Sequence, residues 1–423
     1  MQANGVARRA LVTVGLGTIL LGIGVLSAGV LIACGASQQT RSFFAADTRN
    51  NRVLVYGAPF ATGQSATAVL GQPSFTASPE TPLTAASMVE PAGVAVDSAG
   101  NLYVSDAATC RVLQFNPPFT TGMAATFAIG QASGTTNLTT GTCLPMADAT
   151  STGLAMPSGL VIDRAGNLWV ADSQNARVLK YPAPITEGEA ATVALGQTTT
   201  GASLGCNQGQ GPVASAGTLC NPLGVTFDAA GNLWVTDTGN NRVLMYPPAN
   251  LVTGGSATAE LGQTAATAFT SSSHGTTGPS ATSLFRPLGL AFDPTGNLWV
   301  ADSYDNRALM YAKADLATNG AAATVELGQP SATAFTSYAA NNGGIGPSTL
   351  VMPYGLAFDT TGRIFVSDAE AGGNNRTLVF TPPFTSGMNA TLVLGQADFV
   401  TATPNTGGES AATQNQPGGV ATF

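Results

Sequence analysis

A motif on a fixed ruler recurs along this chain. An aspartate closes one apolar run, and a second aspartate follows nine residues later. The pairs are Asp97 and Asp106, Asp163 and Asp172, Asp228 and Asp237, Asp293 and Asp302, and Asp359 and Asp368. Between them stand GNLYVSD, GNLWVAD, GNLWVTD, GNLWVAD and GRIFVSD. An arginine follows five residues later at Arg111, Arg177, Arg242 and Arg307, and eight later at Arg376. Each unit then reaches a Gly-Gln pair, ending at Gln131, Gln197, Gln263, Gln329 and Gln396. Successive second aspartates lie 65 or 66 residues apart.

The spacing allows little choice of fold. Each unit holds four short apolar runs, such as 159–163, 168–171, 177–181 and 192–195. Val, Leu, Trp and Tyr dominate these runs, which are too short for helices. The Asp-x-x-Gly-Asn step between the first two reads as a tight hairpin. Four strands per unit, repeated in register, predict an all-β propeller with four antiparallel strands per blade. RSFFAADTRNNRVLVYG (41–57) matches the second and third strands, with Asp47 and Arg52 in place, while PGGVATF (417–423) matches only a first strand. Together they complete one blade. The expected architecture is a six-bladed β-propeller over 41–423, closed by pairing the two ends.

The pattern Pro-x-Gly-apolar-Asp, Gly-Asn-aromatic-Val-x-Asp, Asn-Arg-Val resembles NHL repeats, and it does so over most of 41–423. That resemblance implies an interaction module. The departure is length, because propeller repeats of this type run to about 40–45 residues. The excess lies between each Gly-Gln pair and the next Pro-x-Gly.

Residues 1–33 read as an address. Arg8 and Arg9 precede an uncharged apolar stretch that ends Leu31-Ile32-Ala33-Cys34. This resembles a bacterial lipobox, with cleavage before Cys34, lipidation of Cys34, and a short tether over 34–40. The alternative is an uncleaved membrane anchor. Both readings put the remainder outside the cytoplasm, in the cell envelope. Four cysteines are left, and an even number in an exported chain predicts two disulfides with three connectivities. Cys206 and Cys220 share one loop and are expected to pair, which leaves Cys110 with Cys143.

Charge is scarce, at 9% of residues against about 25% in ordinary globular domains. The net charge is −8, and losing Arg8 and Arg9 makes the rest more negative, so no nucleic-acid partner is expected. The repeat consumes much of the charge. Asp47–Arg52, Asp106–Arg111, Asp172–Arg177, Asp237–Arg242, Asp302–Arg307 and Asp368–Arg376 read as buried structural pairs. The first-turn aspartates read as turn formers. Trp169, Trp234 and Trp299 share one repeat position with Tyr103, Phe365 and Phe44, which reads as packing between blades.

Strand alternation sorts the connections onto two faces. The tight Asp turns and outer hairpins fall on one face, here called Y. The long loops and the Asp-to-Arg turns fall on the other, face X. Long loops on a rigid scaffold usually carry function. The short span from Cys34 to Arg41 would place face Y toward the membrane. The reading is therefore a lipid-anchored, monomeric scaffold that binds protein or glycan through face X. Phe269, Phe335 and Tyr338 are loop aromatics suited to contact. Tyr304, Asp305, Glu370 and Asn374, at the Asp-to-Arg turns, are the candidate contact residues.

The competing class is an enzyme. Related six-bladed propellers include lyases and lactonase-like hydrolases that hold a metal in the central channel. The single histidine, His274, and the lack of any His or Cys spacing for zinc weigh against the lyase type. A calcium site made of oxygens stays open, with Glu90, Asp148, Asp305 and Glu370 as the acids outside repeat positions. No catalytic residue, resident cofactor or Ser-centred elbow is expected.

Overall fold

The computed structural model describes residues 42–80, 82–131, 138–139, 143, 149–273, 278–368 and 373–423. The compact unit Ser42–Phe423 is six four-stranded antiparallel sheets. Blade 3 shows the pattern, with an inner strand Pro157–Ile162, then Leu168–Asp172, Arg177–Tyr181 and an outer strand Val193–Leu195. Blade 1 is the split one, because Pro417–Thr422 pairs antiparallel with Ser42–Asp47, which continues to Arg52–Gly57 and Ala68–Leu70. Blades 2 to 6 begin with Pro91–Val96, Pro157–Ile162, Pro222–Phe227, Pro287–Phe292 and Pro353–Phe358. The leader, Cys34 and the tether lie outside the described residues.

Packing around the axis explains the glycine of Pro-x-Gly. A β-carbon on Gly93 would stand 2.2 Å from the Ser158 carbonyl oxygen of the next blade. The same clash recurs from Gly159 to Leu223 at 2.3 Å, Gly224 to Leu288 at 2.2 Å and Gly289 to Tyr354 at 2.2 Å. Glycine is required because neighbouring backbones nearly touch. Each inner strand is bulged just there, as between Pro91 and Val94. In alternate blades a hydroxyl takes the glycine N–H: Ser105, Thr236 and Ser367 each accept at 2.6 Å.

The blades bind one another through second-strand aromatics. Trp169 meets Phe227, Trp234 meets Phe292 and Trp299 meets Phe358, each on the following inner strand, with ring centroids 5.8–6.1 Å apart. The indole N–H of Trp169 also donates to Asp163 at 3.0 Å. Asp163 already accepts from the Ala165 and Asn167 backbones and from the Asn167 amide. Burial pushes the Asp163 carboxyl up, but these donors together hold it below its ordinary value. It shapes its hairpin on face Y.

Candidate binding face

Face X is built on the buried ion pairs. In all six blades the second-strand Asp and its Arg have fully buried side chains, with Arg Nε 2.6–2.9 Å from the carboxylate. The other carboxylate oxygen accepts the N–H of a residue ending the long loop that enters the blade. In blade 3 this is Ala155 to Asp172 at 2.6 Å, and in blade 4 Cys220 to Asp237 at 2.6 Å. The guanidinium reaches into the same loop, as Arg177 donates to the Thr150 and Gly153 carbonyls at 2.9 Å each. Burial raises every one of these Asp carboxyls, opposed first by the adjacent arginine charge. The charged groups thus pin loops and are inaccessible to a ligand.

The Gly-Gln pair has a related purpose. Gln197 Nε2 donates to the Ala176 carbonyl of the Asp-to-Arg turn and to the Gly205 carbonyl of the long loop, each at 3.1 Å. Gln263, Gln329 and Gln396 bridge equivalent carbonyls. The residue before each Arg adopts left-handed geometry, and it is Asn at 51, 241, 306 and 375. Its carboxamide accepts the N–H that leads into the next blade and donates to a long-loop carbonyl. Asn306, for example, accepts from Met352 at 2.9 Å and donates to Tyr338 at 2.8 Å. Cys110 and Ala176 stand there in blades 2 and 3. Those blades carry the disulfides, Cys110–Cys143 and Cys206–Cys220.

The candidate contact residues separate. Tyr304 is half-buried at the face, with the Arg286 guanidinium 4.7 Å from its ring centre and Phe285 edge-on at 5.2 Å. Asp305 and Asn374 turn inward, at 6% and 1% exposure. Asn374 donates to Asp368 at 2.8 Å and exchanges amide hydrogen bonds with Asn341. Both are therefore corrected from contact residues to parts of the loop-holding network: at the end of a tight turn the side chain must satisfy the buried aspartate below it. Glu370, Asp148 and His274 lie outside the described residues. Phe269 and Phe335 are half-buried. Their rings pack against the core, and their N–H groups donate to the buried carboxylates of Glu260 and Glu326. Tyr338 is 60% exposed.

The sequence reading missed Glu260 and Glu326, which accept from Arg242 and Arg307 at 3.1 and 3.2 Å. In blades 3 and 6 a loop carbonyl accepts from that nitrogen instead, as Thr200 does from Arg177, and in blade 1 Arg52 meets both the Phe75 carbonyl and Glu409, the latter at 3.2 Å. A lone Glu in an otherwise apolar outer strand was the available signal. It also missed a ring at the mouth of face X. There Arg49 bridges Glu90 and Gln416, Gln174 lies against the Met156 sulfur, and Arg286 covers Tyr304. This ring differs from blade to blade. Among the described residues, five of the seven exposed large hydrophobic ones belong to the loops of this face: Met156, Leu204, Val213, Tyr338 and Val400.

The central channel offers little room. Its cavity is about 70 Å³, lined by the inner-strand glycines, aliphatic side chains and Tyr354. The Tyr354 hydroxyl meets the Ser158 hydroxyl of blade 3 at 2.9 Å. Among the described residues no carboxylate lines the channel, and no three His, Cys, Asp or Glu side chains could gather around a metal. The donor set does not fit a channel calcium. Larger clefts of about 510, 570 and 420 Å³ lie on face Y, between blades 3 and 4, 4 and 5, and 5 and 6.

Comparison with known proteins agrees with this architecture. Residues 88–115, 154–181 and 219–246 match the NHL repeat. No curated protein sequence matches. Among solved structures, a protein of unknown function from Bacteroides caccae is similar, at TM-score 0.50 and 9% identity, covering 91% of this chain and 99% of that one. A streptogramin B lyase gives TM-score 0.39 at 12% identity, over 73% of this chain and 69% of that one. A catalytically inactive virginiamycin B lyase from Staphylococcus aureus with quinupristin gives 0.38 at 13%, over 70% and 68%. The chain is a six-bladed β-propeller, three stretches of which match the NHL repeat.

Proposed function

We propose that this protein is an exported, lipid-anchored scaffold that binds a protein or glycan through face X. One observation carries the reading. The long loops are pinned by buried ion pairs and amides into a fixed surface, and that surface ends in a ring that varies between blades. A pre-ordered surface loses little conformational freedom on binding. The exposed apolar loop residues supply contact area, and the polar ring supplies direction. Two disulfides agree with an oxidising compartment. No helix among the described residues is long and apolar enough to cross a membrane.

Two experiments test this. Incorporation of labelled fatty acid should occur in the native chain and vanish in Cys34→Ser; label retained in that variant would sink the anchor. Photo-crosslinking groups placed at Tyr338 and Val400 should capture a partner on intact envelopes, and Arg286→Ala/Tyr304→Ala should weaken that capture at least tenfold. Crosslinking only from face Y, around Met245 and Phe384, would overturn the choice of face.

A further inference from the structure

The six blades repeat one buried arrangement, so each serves as a control for the others. Two residues before the Arg of the Asp-to-Arg turn, blades 1, 3, 4 and 6 carry Asn50, Asn175, Asn240 and Asn374. Each donates an amide hydrogen to the buried Asp at 2.7–2.9 Å. Blade 5 carries Asp305 there. It is 6% exposed and lies against the same Arg307 guanidinium as Asp302. An ionised carboxylate has no hydrogen to give. Arg307 must already serve Asp302 at 2.8 Å and Glu326 at 3.2 Å, and it reaches Asp305 only at 3.4 Å. Three carboxyls therefore share one guanidinium, where in blade 3 Arg177 is paired with Asp172.

The charges facing this group come from several elements. Asp302, Arg307 and Glu326 belong to its own blade. The loop 262–286, whose Ser280 and Ser283 carbonyls accept from Arg307, brings Arg286 over the neighbouring Tyr304. The inner strand Pro353–Phe358 accepts the Ser303 hydroxyl through the Pro353 carbonyl and adds no charge.

We propose that a proton held between Asp305 and Asp302 does in blade 5 what the asparagine amide does elsewhere, and that losing it loosens the turn 303–306. Face X would then respond to pH at one blade. Burial, followed by the Asp302 charge, pushes the Asp305 carboxyl up to about 7, against the pull of Arg307. The folded state therefore holds this proton over a range where the unfolded chain has released it. The contribution is intact near pH 4 and is lost as pH rises toward and through 7.

The test compares the native chain with Asp305→Asn, which installs the residue of the other blades. The variant should melt several degrees higher at pH 8 and within about 1 °C of native at pH 5. Amide exchange, corrected for its intrinsic pH dependence, should show residues 304–306 losing protection at least tenfold from pH 5 to 8 in the native chain. The variant should show no such loss, nor should the Asn240 turn (238–241) in either protein. Glu326→Gln should shift the transition to lower pH. Equal melting shifts at both pH values, or unchanged protection at 304–306, would overturn the proposal. Neither readout involves a ligand, so failure would leave the binding-scaffold reading intact.

Discussion

Blades 4, 5, 6 and 1 hold their face-X loops with an asparagine, whereas blades 2 and 3 lack it and carry the disulfides. In the first group one carboxamide links the left-handed turn to the loop of its own blade and to the entry of the next. In blade 2, Cys110 occupies that turn position and bonds covalently to Cys143 in the long loop, while its sulfur lies 3.2 Å from the Met156 N–H. The sulfur thus stands where the amide oxygen stands elsewhere. In blade 3 the position is Ala176, at φ 49°, with no side-chain acceptor to offer. There Cys206–Cys220 ties the loop to its own end instead. The loop is fixed to the turn by hydrogen bonds in four blades and by a covalent bond in blade 2, and in blade 3 a disulfide closes the loop on itself.

The comparison can be broken at its common foundation first. Arg177→Leu in blade 3 leaves Asp172 buried without its counter-charge and should cost about 3–5 kcal/mol in denaturant unfolding. Arg307→Leu in blade 5, which strands three carboxyls, should cost more. Equal or smaller losses in blade 5 would contradict the charge imbalance described there.

Next come the disulfides. Reducing Cys110–Cys143, which closes a separation of 33 residues, should cost roughly 3 kcal/mol. Exchange protection should fall at the Cys110 turn and be unchanged at the Asn241 and Asn306 turns. The double substitution Cys110→Asn/Cys143→Ser should recover most of that loss and become insensitive to reductant. If it behaves like Cys110→Ala/Cys143→Ser, the sulfur is not standing in for an amide.

The smallest effect sharpens the comparison. Ala176→Asn relieves a left-handed alanine and supplies an acceptor for the Asn221 N–H. A gain of about 1 kcal/mol is expected. A loss would show that blade 3 has no room for the amide.

Much of this protein could be read in one dimension because the physics of a blade is local and repeated. Alternating apolar runs, the Asp-x-x-Gly-Asn hairpin and the split first unit fix strand number, blade number and the closing pair. Of the cysteine pairs, Cys206–Cys220 was legible because both lie in one loop, and Cys110–Cys143 only as the remainder. Repetition also separated structural charge from unusual charge, since an Asp–Arg pair recurring in six units, five of them at the same spacing, argues for scaffolding. What stayed out of reach was the direction of individual side chains. Asp305 and Asn374 look like variable surface residues in sequence, but in the fold they point inward onto Asp302 and Asp368.

The sequence alone determined the β-propeller, its six blades and the separation of long loops from tight turns, because each depends on local periodicity and chain direction. Only the tertiary structure decided why Pro-x-Gly needs its glycine, since that need arises from the carbonyl of the neighbouring blade. The role of Gln in Gly-Gln, the hydroxyl contact between Tyr354 and Ser158, and the three carboxyls gathered on Arg307 were likewise decided there. Each joins residues from different blades, loops or strands. No spacing in the chain records which groups such an arrangement will bring within hydrogen-bonding distance.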